Sequence, residues 1–219
     1  MNFHMELLQY WPFLLRGLGW TVLMSLGAMV GGSIVGLLCA VGRSSRNRLL
    51  RGTIAVYSNV FRSTPPLVQL LLIFYALPVL TGYSFNGVQS GLIGLSLYAG
   101  AYLAEVFRAG IGSVARGQLE AAEALAMPAM LAFFRIVLPQ AIRNMLPALT
   151  SSAIVLVKDS ALLSFVSVSD LMRNGQVVAS VMHSSMEVLT VVAVLYLLIT
   201  APLAILSHYL AVAQTHERS

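Results

Sequence analysis

The sequence predicts an all-α membrane protein with about five transmembrane helices, its N-terminus outside and its C-terminus cytoplasmic. Three observations lead there. The 219 residues are 58% hydrophobic and 10% charged, with mean hydropathy +0.84, whereas a soluble domain carries about 25% charged residues. No Asp, Glu, Lys or Arg lies between Arg16 and Arg43, from Ser63 to Ala104, or from Val188 to His216, and each run exceeds the ~20 residues that cross a bilayer. The positive charges gather in two of the stretches between these runs, which orients the chain. A soluble enzyme is excluded, and the excess of 13 Lys+Arg over 8 Asp+Glu reflects topology rather than a nucleic-acid partner.

The first span is expected at about 19–41, followed by Arg43, Arg46, Arg48 and Arg51 in a short cytoplasmic loop. No secretory leader is expected ahead of it. Gly27 with Gly31, and Gly32 with Gly36, have the spacing that lets a second backbone approach closely. Pro78, Gly82, Asn86 and Gly87 divide the next apolar run into span two, about 54–80, and span three, about 88–107. Residues 108–143 carry Arg108, Arg116, Arg135 and Arg143 among Glu120 and Glu123 and read as an amphipathic cytoplasmic loop. Span four starts near Asn144 and meets Lys158 and Asp159 after fourteen uncharged residues, so it is short or carries an ion pair near its outer end. A polar segment, 164–187, precedes span five at about 188–209. Arg43, Arg46, Arg48, Arg51, Arg108, Arg116, Arg135, Arg143 and Arg218 fall on the cytoplasmic side of this scheme. Arg16 and Arg173 fall outside, and Arg62 and Lys158 near membrane depth. The whole chain, 1–219, forms one transmembrane domain.

Catalytic chemistry is not expected. The only lysine, Lys158, follows Leu156 and Val157 rather than a glycine loop, so no nucleotide-binding motif is present. His4, His183, His208 and His216 are scattered and Cys39 is single, so no metal site is expected.

The cytoplasmic stretch holds the most specific pattern. Gly117 to Ala126 is rich in Ala, Leu and Glu, a strong helix former. Met127 precedes a proline and is pushed out of helical geometry, while Pro128 suits the first turn of a second helix. Two short helices joined at a bend are expected, with Leu119, Ala122 and Leu125 or Ala126 on one side. Glu120-Ala121-Ala122, then Ala126, then Ile136-Val137-Leu138-Pro139 resembles, in register, the EAA loop of bacterial ABC importer permeases. Phe61 to Gln69, Ala101 to Ile111 and Lys158 to Ser164 resemble the polar amino acid permeases within that family, of histidine, glutamine, arginine and cystine types. The chain departs from the pattern where the loop glycine is Ala126, making a positive-φ bend about 1 kcal/mol costlier unless the Met127-Pro128 step moves the break. Arg62-Ser63-Thr64-Pro65 and Arg108-Ala109-Gly110 also each replace a family glycine.

The resemblance implies a type I importer permease fold in the bacterial inner membrane, with two ATP-binding cassette ATPase subunits, a second permease chain and a periplasmic substrate-binding protein as partners. ATP would be bound by the ATPase partner, with no cofactor in this chain. It implies that the loop contacts the ATPase through Gln118, Glu120, Ala121, Ala122, Ala126, Leu138 and Pro139, with Glu120 as a charged contact or as a partner for first-turn amides. Charges at membrane depth are functional candidates: Arg62, Glu105, Lys158 and Asp159. A zwitterionic amino acid needs a cation for its carboxylate and an acceptor for its ammonium, roles open to Arg62 with Glu105 or Asp159. Alternatively Arg62 snorkels or pairs with Glu105, and Lys158 and Asp159 cap span four. A permease for another small solute, a secondary transporter and a membrane scaffold are the competing readings.

Overall fold

The computed structural model describes residues 3–216, with side chains from 7 to 214. Arg218 and the side chains of His4 and His216 lie outside the described residues. Helix α1, Phe3–Arg43, runs 41 residues, about 60 Å at 1.5 Å per residue. It therefore starts well before the span expected at 19–41 and carries Arg16 within it. Helix α2, Arg48–Ser63, is capped by the Asn47 side chain, which accepts from the Leu49 and Leu50 amides.

Span two is not the single helix expected at 54–80. A bend of 111° separates α2 from the helical run Pro66–Thr81. Its cause is local: residues before proline are disfavoured in helical geometry, and Thr64 and Pro65, each followed by proline, are both extended. Ile54 meets Gly42 near the end of α1, and Arg62 lies beside Glu105, itself paired with Arg43. The Tyr57 hydroxyl donates to the Leu97 carbonyl in the middle of α5, and with 111° between them the two segments cannot both run along the spans. The run past the bend is formed by α3, Pro66–Leu71, a wide π-type turn, Leu72–Ala76, and α4, Leu77–Thr81, and its Leu70 and Ile73 lie against Gly94. Asn86 and Gln89 then form a reciprocal cap that starts α5, Gly87–Gly112.

Helices α1 and α5 form the tightest pair. A Cβ at Gly32 would lie 2.6 Å from that of Ala99, and one at Gly36 would lie 2.9 Å from that of Leu103 and 3.0 Å from the Ala104 nitrogen. The expected glycine seam is therefore a real contact, and its missing side chains set the approach of the two backbones. Met24, Ala28, Leu70, Leu95, Leu103, Leu156 and Leu163 fill the core around it.

After α6, Arg116–Ala124, a short α7, Ala129–Ala132, runs through a π-type turn, Phe133–Val137, into α8, Leu138–Asp159. Both π-type turns end one residue before a Leu-Pro pair, at Pro78 and Pro139, where a proline ring would collide with the carbonyl four residues back. The wider turn removes that collision. Span four is accordingly neither short nor ion-paired at its end: an apolar helical run extends over Ala129–Val166, and no Lys158–Asp159 ion pair forms among the described residues. Helices thus enter the 108–143 stretch from both sides. The segment expected to be merely polar contains α9, Leu171–Met182, before α10, Ser185–His216. Among the described residues, four helices are long and apolar enough to span, or five with the bent pair.

Candidate functional site

The chain ends α6 with a complete left-handed cap. Ala126 has φ +53°, its amide donates to the Glu123 carbonyl at 2.8 Å, and the Met127 amide donates to the Ala122 carbonyl at 3.0 Å. These are the two bonds of a Schellman motif, whose left-handed position is usually glycine. The break therefore stays at Ala126 and is not moved to the Met127-Pro128 step. Pro128 precedes α7 as its cap residue.

This segment is braced from inside and apolar outside. Ala122, 1% exposed, is the buried member of its row, whereas Leu119 and Leu125 are 41% and 76% exposed, so the row expected on one side does not share one environment. Val114, Val137, Ala141 and Met145 form a small core where the loop meets the spans. The Asn144 side chain donates to Ser113 Oγ at 2.8 Å, and Gln118 and Gln140 meet at 3.5 Å. Leu138 is half-buried, while Pro139, Ala121 and Glu120 are exposed. Glu120 makes no ion pair among the described residues and does not cap α6, whose first turn has no side-chain cap. Met130, Leu131 and Phe134 extend the exposed apolar surface.

Glu105 is the hub of a second cluster. One carboxylate oxygen is tightly bound by Arg43, the other accepts from Arg108 Nε at 2.9 Å and lies 2.8 Å from its Nη2, and Arg62 approaches at 3.8 Å. The expected Arg62–Glu105 pair is the loosest of the three contacts. The Arg62 guanidinium instead lies 5.6 Å from the centre of the Tyr102 ring, a cation–π distance. Arg43 was not among the expected site residues: its partner is 62 positions away, and nothing local in the sequence links them.

Asp159 stands apart from this hub. Its Oδ2 is buried and makes no hydrogen bond within the described chain, while Lys158 is exposed. Asp159 lies within electrostatic reach of Tyr98, whose ring contacts that of Tyr102 at 5.1 Å. Tyr98 and Tyr102 of α5 thus stand in a row between Asp159 of α8 and Arg62 of α2. The two tyrosines border an apolar cavity of about 200 Å³ that Ser151, Ser152 and Val155 also line.

Residues 32–215 match the family described as binding-protein-dependent transport system inner membrane component. The chain belongs to this family. It is 43% identical over 178 residues to a putative glutamine transport system permease protein of Rickettsia prowazekii, covering 80% of this chain and 82% of the relative. It is 38% identical over 167 residues to an L-cystine transport system permease protein of Bacillus subtilis, covering 76% and 71%. A crystal structure of an amino acid ABC transporter with histidines superposes with a TM-score of 0.87 at 33% identity, covering 95% of this chain and 97% of the other. The protein is thus a multi-pass permease subunit of the amino acid ABC importer type, and the type I fold implied by the EAA pattern is the one observed.

One polar feature of this permease went unanticipated. Asp170 and Asn174, read as part of a polar connecting segment, are 0% and 1% exposed. The Asp170 carboxylate caps α9, accepting from the Arg173 amide at 2.9 Å and the Met172 amide at 3.3 Å, and the Tyr196 hydroxyl reaches it at 3.5 Å. Thr21 Oγ1 accepts from the Leu171 amide and Asn174 donates to the Phe13 carbonyl. The knot ties α9 to α1 and α10. Burial pushes the Asp170 carboxyl up to about 6, opposed by the amide hydrogen bonds. Asp170 standing directly before the apolar Leu171 and Met172 is a helix-start pattern and was the signal available in the sequence.

Proposed function

We propose that this permease is one half of a two-chain path that imports a polar amino acid across the bacterial inner membrane. Two ATPase subunits dock at the arginine-rich end, which is cytoplasmic, and a periplasmic binding protein delivers substrate at the other. The observation that carries the ATPase contact is the α6–α7 segment: buried Ala122 and the small core behind it make it stiff, while Leu119, Leu125, Met130 and Phe134 face outward. Exposed apolar groups with Glu120 and Glu123 suit a partner's groove better than lipid, since an interfacial anchor places Lys and Arg on its polar face. Motion of the docked segment passes into α8 without an intervening loop, which supports coupling of ATP-driven closure to alternating access. ATP itself binds the partner.

For the path, the geometry favours Asp159 over Glu105 as acceptor for the substrate ammonium. Glu105 is already engaged by Arg43 and Arg108, whereas a buried carboxylate oxygen without a partner is costly unless something else satisfies it. Arg62, only loosely held, is the cation available for a carboxylate. Lys158, being exposed, has no contact that assigns it a role in the path.

The test is mild-detergent purification of the tagged chain from its native membrane, followed by native mass spectrometry. Recovery with two ATPase subunits and a second permease mass is expected. Recovery without ATPase, even after crosslinking at 118–135, would overturn the importer reading.

A further inference from the structure

Four arginines stand between Arg43 and Arg51, and Glu105 engages only one of them. Arg43 is bound there together with Arg108 and, loosely, Arg62. Arg46, Arg48 and Arg51 are exposed and make no ion pair among the described residues. No acid occurs anywhere from Leu7 to Ala104. Among the described residues, the charges of Arg46, Arg48 and Arg51 therefore have no acidic counterpart.

Helix α2 gives the charge a particular setting. At 100° per residue, Arg48 and Arg51 fall on one edge, and Leu49, Val56 and Val60 fall on an adjoining strip. That strip is 76%, 63% and 50% exposed, while Ser58, on the opposite side of the helix, is buried. Arg43 is the last residue of α1 and α2 starts five residues later, so the corner stands at the arginine end of α1, and α2 leaves it with basic and apolar faces, as an interfacial helix does. Arg51 Nη1 donates to the Ser45 carbonyl at 3.2 Å, which holds that guanidinium over the corner. Asn47 already accepts from the Leu49 and Leu50 amides, so guanidiniums rather than helix-end amides would meet an anion.

We propose that the α1–α2 corner, through Arg46, Arg48 and Arg51, binds the phosphate headgroup of an anionic phospholipid whose acyl chains cover Leu49, Val56 and Val60. Charge complementarity and the apolar strip beside the guanidiniums both select a lipid: a soluble anion would leave the strip uncovered. The inference rests on the sidedness proposed above, but lipid retention can be measured whether or not transport occurs.

The test uses the complex as purified, titrated with dioleoylphosphatidylglycerol or dioleoylphosphatidylcholine and read by native mass spectrometry. Preferential retention of the glycerol lipid is expected, weakening as NaCl rises from about 0.05 to 0.5 M. Arg46→Gln, Arg48→Gln and Arg51→Gln together should lower that affinity about a hundredfold, at about fivefold per arginine, whereas the triple lysine variant should keep most of it. Equal retention of both lipids, or undiminished retention by the glutamine variant, would overturn the proposal. So would a glutamine variant that keeps its lipid but sheds the ATPase, because the corner would then face a protein. Should the glutamine variant fail to assemble, the wild type decides: selectivity that is absent, or that is insensitive to salt, refutes the site.

Discussion

Ala126→Gly should tighten the end of α6. The left-handed conformation at φ +53° costs an L-residue about 1–2 kcal/mol. Glycine removes that cost but loses about 0.5–1 kcal/mol more conformational entropy on ordering. At the midpoints the net gain is about 0.75 kcal/mol, within a range of about 0–1.5, so a two- to fivefold shift in local opening is expected. Two amides report it, those of Ala126 and Met127, whose bonds to Glu123 and Ala122 exist only while the cap is closed. Hydrogen exchange of the purified complex, followed on peptides covering 120–131, should slow two- to fivefold at these amides in Ala126→Gly. It should quicken in Ala126→Val, because a β-branched side chain tolerates positive φ still less well. Exchange that is unchanged or faster in the glycine variant would mean that the cap does not close at Ala126.

Gly32→Leu should separate α1 from α5, since the first added carbon already lies 2.6 Å from the Ala99 Cβ; overpacking of this kind costs about 1–3 kcal/mol, read as a lower melting temperature and lost assembly, and wild-type melting would refute the seam. Asp159→Asn should reduce substrate uptake at least tenfold while the complex still assembles, and unimpaired uptake would show that the buried oxygen is not an ammonium acceptor. For Arg62→Ala in an assembled complex, loss of uptake is expected, and retained uptake would assign Arg62 to the Glu105 cluster alone. Asp170 links stability to pH: its carboxyl is raised from 3.8 to about 6, so the folded state holds the proton more tightly than the unfolded state. Its contribution to stability then falls as pH rises from about 4 through about 6 and levels off above. The melting temperature of wild type relative to Asp170→Asn should fall across that window; a flat or rising difference would refute the burial argument.

The uncharged runs before Arg43, after Asn86 and after Val188 located α1, α5 and α10, because composition alone decides whether a helix can cross lipid. The α6–α7 bend was equally legible, since the Ala-Leu-Glu run and Met127-Pro128 act within a few residues of the bend. What remained hidden depends on direction or distance. Apolarity does not reveal the direction a helix takes, so α2 merged with the span that follows, although Thr64-Pro65-Pro66 marked the corner. Asp159 and Glu105 read alike as charges at membrane depth. Only the fold shows that Arg43, from another helix, neutralises one while the other keeps a bare oxygen. Asp170 looked like a loop residue because polar character in a short segment does not reveal burial.

The most direct test of the account places a cysteine at Leu125 in a Cys39→Ala background and crosslinks it to the ATPase in the intact complex, with a cysteine at Ser180 on α9 as the control. The account predicts a crosslink to the ATPase from position 125, with a yield that changes when ATP is added, and none from position 180. ATPase captured from position 180 instead, or from neither position in a complex shown to contain it, would contradict docking through the α6–α7 segment.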